Sequence, residues 1–179
     1  MRVPVTDLIG HPGAAKPFTV TLEREDVGDP GASWGPADDA LQGPIELDLD
    51  LESVVEGILV RGDVSFAVEL PCARCLEPQT SEHTVAVAEL FPDPRKREDE
   101  DEDDPGYEIV DDLTAIDLST LIRDAVLMDL PVRVLCREDC LGLCPVCGTD
   151  RNAEDCGHRP TDEPDPRWAA LADLDLPDS

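Results

Sequence analysis

The sequence predicts an α+β protein in which one main helix covers an antiparallel β-sheet, followed by a small C-terminal cysteine-rich segment that binds zinc. Three observations predict this fold class. Apolar and acidic residues alternate over residues 45–52, apolar residues recur at helical spacing after Asp117, and cysteine pairs lie close together near the end of the chain. The length of 179 residues suits one domain with tails.

The first strands are predicted from β-branched and alternating residues. Residues 18–22 suit a short strand. Residues 45–52 give the clearest strand, because alternation places the apolar and acidic side chains on opposite faces. The apolar set is Ile45, Leu47, Leu49 and Leu51, and the acidic set is Glu46, Asp48, Asp50 and Glu52.

The next two apolar runs, residues 54–61 and 64–70, are separated by Gly62 and Asp63. This arrangement is typical of an antiparallel hairpin with a tight turn, so we expect the chain to reverse there. Residues 84–91 add a further strand.

Two stretches are predicted to be flexible loops, residues 28–44 and residues 93–106. The first is rich in Gly, Pro and Asp, which argues against a core element. The second contains seven consecutive acidic residues, 98–104, which repel one another and stay solvated. This acidic run is either a solubilising insertion or a mimic of nucleic acid for a basic partner.

A helix is predicted from Asp117, a possible N-cap, to the residues before Pro131. Its apolar face consists of Leu118, Leu121, Ile122 and Ala125. The chain therefore divides into an α+β region, 1–135, a zinc-binding segment, 136–160, and a short terminal helix and tail, 161–179, in which Trp168 is expected to anchor the helix on the core.

Charge and cysteine content limit which cellular compartment and which kinds of partner suit this chain. With 42 acidic against 14 basic residues, the formal charge of -28 disfavours non-specific binding to nucleic acid and favours a basic partner. We expect a cytoplasmic protein with no membrane contact, because no secretory signal and no run of ~18 apolar residues occurs. Seven cysteines in a reducing compartment indicate metal ligation rather than disulfides.

Four residues near the C-terminus have the spacing of one zinc site. Cys144 and Cys147 are separated by two residues and followed by a glycine, which allows a tight turn beneath a metal ion. Cys156 and His158 follow after a short loop and complete a set of three sulfurs and one nitrogen. This pattern predicts a closed, structural zinc ion.

The remaining cysteines form a second set of four: Cys72, Cys75, Cys136 and Cys140. Two ions would then clamp the sheet to the C-terminal segment. A rival assignment places Cys140, Cys144, Cys147 and Cys156 in one site and leaves the other cysteines as thiols. Spacing alone leaves one or two zinc ions open.

Catalysis is not indicated by the sequence. A redox role for the pair Cys72 and Cys75 is disfavoured, because such pairs open a helix after a strand, whereas these follow Pro71 among antiparallel strands. A deaminase-type zinc site needs a glutamate in an HxE element, and the sequence contains none. We therefore expect a non-enzymatic protein.

Several motifs together resemble the YceD family, the large ribosomal RNA subunit accumulation proteins. The motifs are the Asp-Leu-Ile-Gly sequence at 7–10, Cys-Ala-Arg-Cys-Leu at 72–76, the cysteine block at 136–148 and Asp-Pro-Arg-Trp at 165–168. The resemblance implies a bacterial or plastid-type protein needed for accumulation of large-subunit ribosomal RNA, without known catalysis. It also implies that the C-terminal cysteine block, which other branches lack while keeping the cysteine pair at 72 and 75, serves stability.

Two functional hypotheses follow. In the first, the acidic sheet face binds a basic ribosomal protein or a pre-50S particle during assembly of the large ribosomal subunit. In the second, the zinc region binds RNA directly through five arginines: Arg133, Arg137, Arg151, Arg159 and Arg167. A thiol-redox protein is a third, weaker alternative, and the sequence does not indicate an oligomeric state.

Overall fold

A computed structural model describes residues 1–28, 33–96, 109, 113–159 and 167. The strands are β1 (Arg2–Pro4), β2 (Ala15–Leu22), β3 (Leu41–Ser53), β4 (Gly57–Pro71), β5 (Pro78–Pro92) and β6 (Ala115–Asp117). The helices are α1 (Ala37–Ala40) and α2 (Ser119–Asp129), with short 3-10 turns at Arg24–Asp26 and Pro94–Lys96. The acidic run, Trp168 and the predicted terminal helix lie outside the described residues, apart from Arg167.

The main sheet is an antiparallel meander with the strand order β2-β3-β4-β5. In β3 the apolar side chains of residues 45, 47, 49 and 51 are buried, while the acids between them point to the opposite face. The alternation predicted from the sequence is therefore confirmed, since one face of this sheet packs on the core and the other meets water. A second, two-stranded sheet pairs β1 with β6.

The hairpin predicted at Gly62 and Asp63 is wrong, because β4 continues straight through both residues. Gly62 pairs with Leu49 on one side and Val87 on the other. The strand reverses instead after Ser53 and after Pro71. Gly62 is a point of close backbone approach, because a Cβ atom there would lie 2.1 Å from the carbonyl oxygen of Asp48.

The expectation that residues 28–44 contribute no core element is also wrong. Within the described part of this stretch, Trp34, Ala37 and Ala40 are buried in the main hydrophobic core. The Asp38 carboxylate accepts hydrogen bonds from the Trp34 backbone and from the Arg24 guanidinium, which fixes the turn that delivers the indole. The composition of this stretch predicted a loop, but its few apolar residues pack against the main hydrophobic core.

The main helix, α2, begins at Ser119 and ends before Pro131, so its prediction is confirmed. Leu121, Ile122 and Ala125 are buried on the face that packs against β4 and β5. Leu118 occupies the N-cap position, while the Asp117 side chain accepts a hydrogen bond of 2.9 Å from the Ser119 backbone. Within the described ranges, no helix has the length and apolarity of a membrane span.

Candidate metal centres

The first cysteine cluster joins the β4–β5 turn to the segment after α2. Cys72 and Cys75 lie in the turn, where the Cys72 backbone donates a hydrogen bond to the Glu77 carbonyl at 2.8 Å. Leu76 adopts a positive φ of 64° to close this turn. A hydrogen bond of 2.8 Å from the Ala73 backbone to the Val134 carbonyl then holds the following segment against it.

That segment brings Cys136 and Cys140 to the same point. The Sγ atoms of Cys75 and Cys136 are 3.6 Å apart, and those of Cys72 and Cys140 are 3.9 Å apart. A tetrahedral zinc ion with Zn–S bonds of about 2.3 Å would separate its sulfurs by about 3.8 Å. The four ligand atoms all lie within 4.8 Å of one another, so their spacing fits one tetrahedral metal ion.

The second cluster lies in the C-terminal segment itself and consists of Cys144, Cys147, Cys156 and His158. Their ligand atoms also lie within 4.8 Å of one another. The backbone of Gly148 donates to the Cys144 carbonyl at 2.8 Å, and its φ of 75° permits the tight turn expected from the sequence. Cys144 is buried, whereas Cys147 and His158 are exposed.

The eight predicted ligand residues thus fall into the two groups of four that counting suggested. The rival assignment, with Cys140 beside Cys144, Cys147 and Cys156, does not match this arrangement, because the Cys140 sulfur lies next to that of Cys72. Both groups can hold a metal ion. Cys72 and Cys75 lie in the turn between β4 and β5, and the other six residues lie in the segment after α2. This is the arrangement expected if two ions clamp the sheet to the C-terminal segment.

Local hydrogen bonds favour thiolates at two positions. The pKa of Cys72 is lowered to about 6, chiefly by a hydrogen bond from the Cys75 backbone. The pKa of Cys147 is also lowered to about 6, chiefly by the Thr149 hydroxyl, which lies 3.3 Å from the sulfur. Burial raises the pKa of Cys136 to about 12. Because metals bind the thiolate form, a bound cation would complete the deprotonation of each cluster.

Two polar residues that sequence reasoning missed support the first cluster. The Arg74 guanidinium donates to the carbonyls of Glu138 and Cys140, at 3.0 and 2.8 Å. The Asn152 side-chain amide donates to the Cys140 sulfur at 3.4 Å, and its oxygen accepts from the Leu141 backbone at 2.8 Å. Nothing in their sequence neighbourhood distinguishes these residues, except that Arg74 lies between two cysteines.

Asn152 also connects the two clusters. It belongs to the loop between Cys147 and Cys156, and it bonds to the cluster formed by Cys72, Cys75, Cys136 and Cys140. The Arg151 backbone donates to the Gly142 carbonyl at 3.0 Å, which holds the same two segments together. The two clusters are therefore neighbours, joined through the C-terminal segment.

The remaining histidines lie away from both clusters. His11 is exposed and bonds to the Ile9 carbonyl. The His83 ring stacks on Phe66 with a centroid distance of 5.4 Å and contacts the Asp129 carboxylate at 2.6 Å. Neither side chain belongs to a described cluster of potential metal ligands.

These features define a small, acidic α+β protein with two adjoining clusters of cysteine and histidine that could each hold a metal ion. The chain belongs to the YceD family: the family model described as "Large ribosomal RNA subunit accumulation protein YceD" matches residues 60–175. The family predicted from the sequence motifs is confirmed.

Mycobacterial relatives cover much of the same region. An uncharacterized protein of Mycobacterium tuberculosis is 45% identical over 137 residues, which is 75% of this chain and 64% of the relative. One from Mycobacterium leprae is 42% identical over 75% of this chain and 61% of its own length. The chain therefore spans less than two thirds of these relatives. No solved structure matches the chain.

Proposed function

We propose that this chain is a non-enzymatic cytoplasmic factor that supports assembly of the large ribosomal subunit and accumulation of its RNA. It does so by binding a basic ribosomal protein, free or within a pre-50S particle. The family description supports the general role in accumulation of large-subunit ribosomal RNA. The outer face of the main sheet supports the choice of partner.

That outer face carries acids on three adjacent strands. Register and alternation place the following acids on it: Glu46, Asp48, Asp50, Glu52, Asp63, Glu69 and Glu82. Within the described strands, Arg61 is the one basic residue on this face, and it is paired with Glu52 at 2.9 Å. The face therefore presents a strongly negative potential to an approaching protein.

The proposal rests on one observation, the pairing of two acidic residues, Asp48 and Asp63, across neighbouring strands. They lie directly opposite each other on β3 and β4, and both are exposed. Like charges in directly opposite positions destabilise a sheet. A basic partner would neutralise this repulsion, so the arrangement favours recognition over stability. Electrostatic recognition of this kind gives fast, salt-sensitive association.

The test is capture of purified, acid-extracted proteins of the large ribosomal subunit on the immobilised chain. We expect capture of basic proteins that weakens steeply as salt rises. The triple variant Asp48→Asn, Asp50→Asn, Asp63→Asn should lose most of it. The matched control, Glu25→Gln, Glu56→Gln, Glu154→Gln, changes the net charge equally at exposed positions off this face and should retain it. Equal capture by both triple variants would refute the assignment of this face.

Direct RNA binding is the second candidate function, and it is tested by retention of purified ribosomal RNA on the same immobilised chain. Two of the five predicted arginines already have acidic partners: Arg137 lies 3.4 Å from Asp139, and Arg159 lies 3.0 Å from Asp155. Retention of ribosomal RNA that is lost in the variant Arg133→Ala, Arg151→Ala would favour that function. Neither guanidinium contributes to a described salt bridge.

We assign zinc to both metal centres, in a structural role. Sulfur-rich tetrahedral sets with no open position are typical of structural zinc. Metal analysis of the natively purified protein should give two zinc ions per chain, and Cys72→Ser and Cys144→Ser should each remove one. His158→Ala should weaken the second centre, while His83→Ala, the control, should leave both filled. Zinc-free protein would overturn this assignment.

A further inference from the structure

Strand β5 leaves a long edge of the main sheet without a neighbouring strand in the described part of the chain. It is the last strand of the order β2-β3-β4-β5 and pairs along its whole length with β4. An edge strand presents unpaired backbone N–H and C=O groups to other chains. Prolines stand only at its ends, Pro78 and Pro92, and residues 84–88 carry no charge. The centre of the edge therefore lacks the usual protection against strand pairing.

A groove of about 410 Å³ lies between this edge and α2. Residues 85–89 form its strand wall, and Val85 and Val87 are half-buried there. Leu121, Ala125 and Met128 supply apolar surface on the helix wall, and Met128 is 88% exposed. The groove is thus an apolar channel that runs beside an available strand edge.

The rim of the groove is acidic. Glu89 projects from the strand wall, while Asp124 and Asp129 project from the helix wall. Among the described residues that line it, none is a lysine or an arginine. Asp124 contacts the Arg123 guanidinium at 3.0 Å, and Asp129 contacts His83 at 2.6 Å. The rim thus has three carboxylates against one described guanidinium, that of Arg123, and the remaining negative charge complements a segment that carries lysine or arginine.

We propose that this groove binds an extended basic segment of the partner protein, which pairs with β5 as an added strand. The inference rests on the proposed function, since it assumes the basic partner. Five residues of β-strand span about 17 Å, the length of the uncharged stretch at 84–88. Backbone hydrogen bonds would supply affinity. Side chains on one face of the added strand would reach the apolar channel and its rim, and the alternate side chains would lie beside the acidic outer face of the sheet.

Charge argues against the other occupants of the groove. A second copy of the chain, paired edge to edge, would bring two acidic rims together on molecules whose formal charge is -28. The acidic run at 98–104 would meet the same repulsion. A basic extended segment is the occupant that both the strand edge and the rim favour.

The experiment uses the full chain and a fluorescent peptide of about nine residues that alternates lysine with valine, long enough to cover the uncharged stretch. Anisotropy titration should show binding that weakens with salt. The same peptide with glutamate in place of lysine, or with proline in place of valine, should not bind. Hydrogen exchange should show new protection of the backbone amides at 84–88. Absence of binding, or protection confined to other strands, would overturn the proposal.

The groove variant is Glu89→Gln, Met128→Lys, which removes a rim charge from the strand wall and places a lysine in the helix wall. Glutamine has nearly the size of glutamate and Met128 is exposed, so the fold should be retained. We expect Kd to rise at least tenfold, or ~1.4 kcal/mol. The matched control Val55→Lys, Val132→Lys adds the same charge at exposed positions outside the groove and should bind as the wild type does. Equal weakening in both would show that only net charge matters.

Two further outcomes separate this inference from the proposed function. If the chain captures basic ribosomal proteins and the groove variant captures them equally well, the groove proposal fails and the proposed function stands. If the wild type binds the lysine-valine peptide but captures no ribosomal protein, the proposed function fails while the groove remains a site for basic strands. A wild-type dimer dispersed by the groove variant would identify a second copy as the occupant and overturn the inference.

Discussion

Gly62 is the residue on which the continuity of β4 depends. Its φ of 142° is one that L side chains rarely adopt, and the Asp48 carbonyl oxygen occupies the space a side chain would need. Any larger residue must push apart β3 and β4 at the centre of the sheet.

We predict that Gly62→Ala lowers the free energy of unfolding by about 2–4 kcal/mol, from backbone strain and overpacking together. Gly43→Ala is the control, because Gly43 also has a positive φ, 69°, but nothing lies within 4 Å of the added atom. It should cost about 1 kcal/mol. Urea unfolding at a fixed zinc concentration measures both, and equal losses would contradict the role of close approach.

Asp93 is a buried carboxylate, 4% exposed, just after β5. It accepts hydrogen bonds from the Arg95 backbone at 3.0 Å and from the Arg95 guanidinium at 2.6 and 3.0 Å. The Arg95 side chain holds the pKa of Asp93 at about 2. Because the folded-state pKa lies below the unfolded value of ~3.9, the stabilisation is complete above pH ~4 and is lost as pH falls through about 2.

We therefore expect Asp93→Asn to lower the free energy of unfolding by about 1–2 kcal/mol at pH 7, since a charge-assisted bond is weakened. The difference from the wild type should shrink as pH falls from about 4 to about 2. Denaturation at matched pH values measures it. A difference that stayed constant over this range would show that the charge of Asp93 contributes nothing.

At the scale of elements, a hydrogen-bonded loop supports the candidate metal centre formed by Cys72, Cys75, Cys136 and Cys140. Asn152 fixes the Cys140 sulfur and the Leu141 backbone at once, although it lies on the loop of the second centre. Partners of this kind orient ligands and tune metal affinity.

We predict that Asn152→Ala weakens metal binding by the cluster of Cys72, Cys75, Cys136 and Cys140 by roughly tenfold, the lower end for partners of metal ligands. Competition against a chromophoric chelator measures this. Gln42→Ala removes an exposed amide on β3 that has no described contact with this cluster, and it should leave affinity unchanged. Unchanged affinity in Asn152→Ala would refute the coupling.

Elements with a strong local period were predictable from the sequence. In β3 and α2 one side is buried, so apolar residues recur at the period of a strand or a helix, and this period can be seen in the sequence. The cysteine spacing left two assignments open, and the structure groups the candidate ligands as the two-site assignment does. Gly62 misled because a glycine in a turn and a glycine at a close approach of two backbones look alike in sequence. Trp34 was missed because its burial depends on long-range packing.

At the scale of the whole molecule, the sheet and the metal centres should respond differently to metal removal. The sheet packs on its own apolar core, whereas the clusters hold a segment rich in turns. Binding free energy of a structural metal is folding free energy for the segment that it organises. We expect a chelator to remove the protection of amides at 136–159 while the centres of β3 and β4 stay protected.

Hydrogen exchange resolved by residue range measures this, and restoring zinc should restore the protection. The untreated and chelator-treated forms of Cys144→Ser provide the comparison within the second centre. An unchanged exchange pattern at 136–159 after the chelator would contradict a structural role for the metal.

A metal ion bound by Cys72, Cys75, Cys136 and Cys140 would also change how the chain is connected. Cys75 and Cys136 are 61 positions apart, so an ion held between them closes a ring that contains both β5 and α2. Closing a ring of this size removes unfolded-state entropy worth ~4 kcal/mol in the chain-entropy treatment of cross-links. Such an ion would act as a removable cross-link. Strand β5 and helix α2, the two walls of the groove, both lie within the ring that it closes.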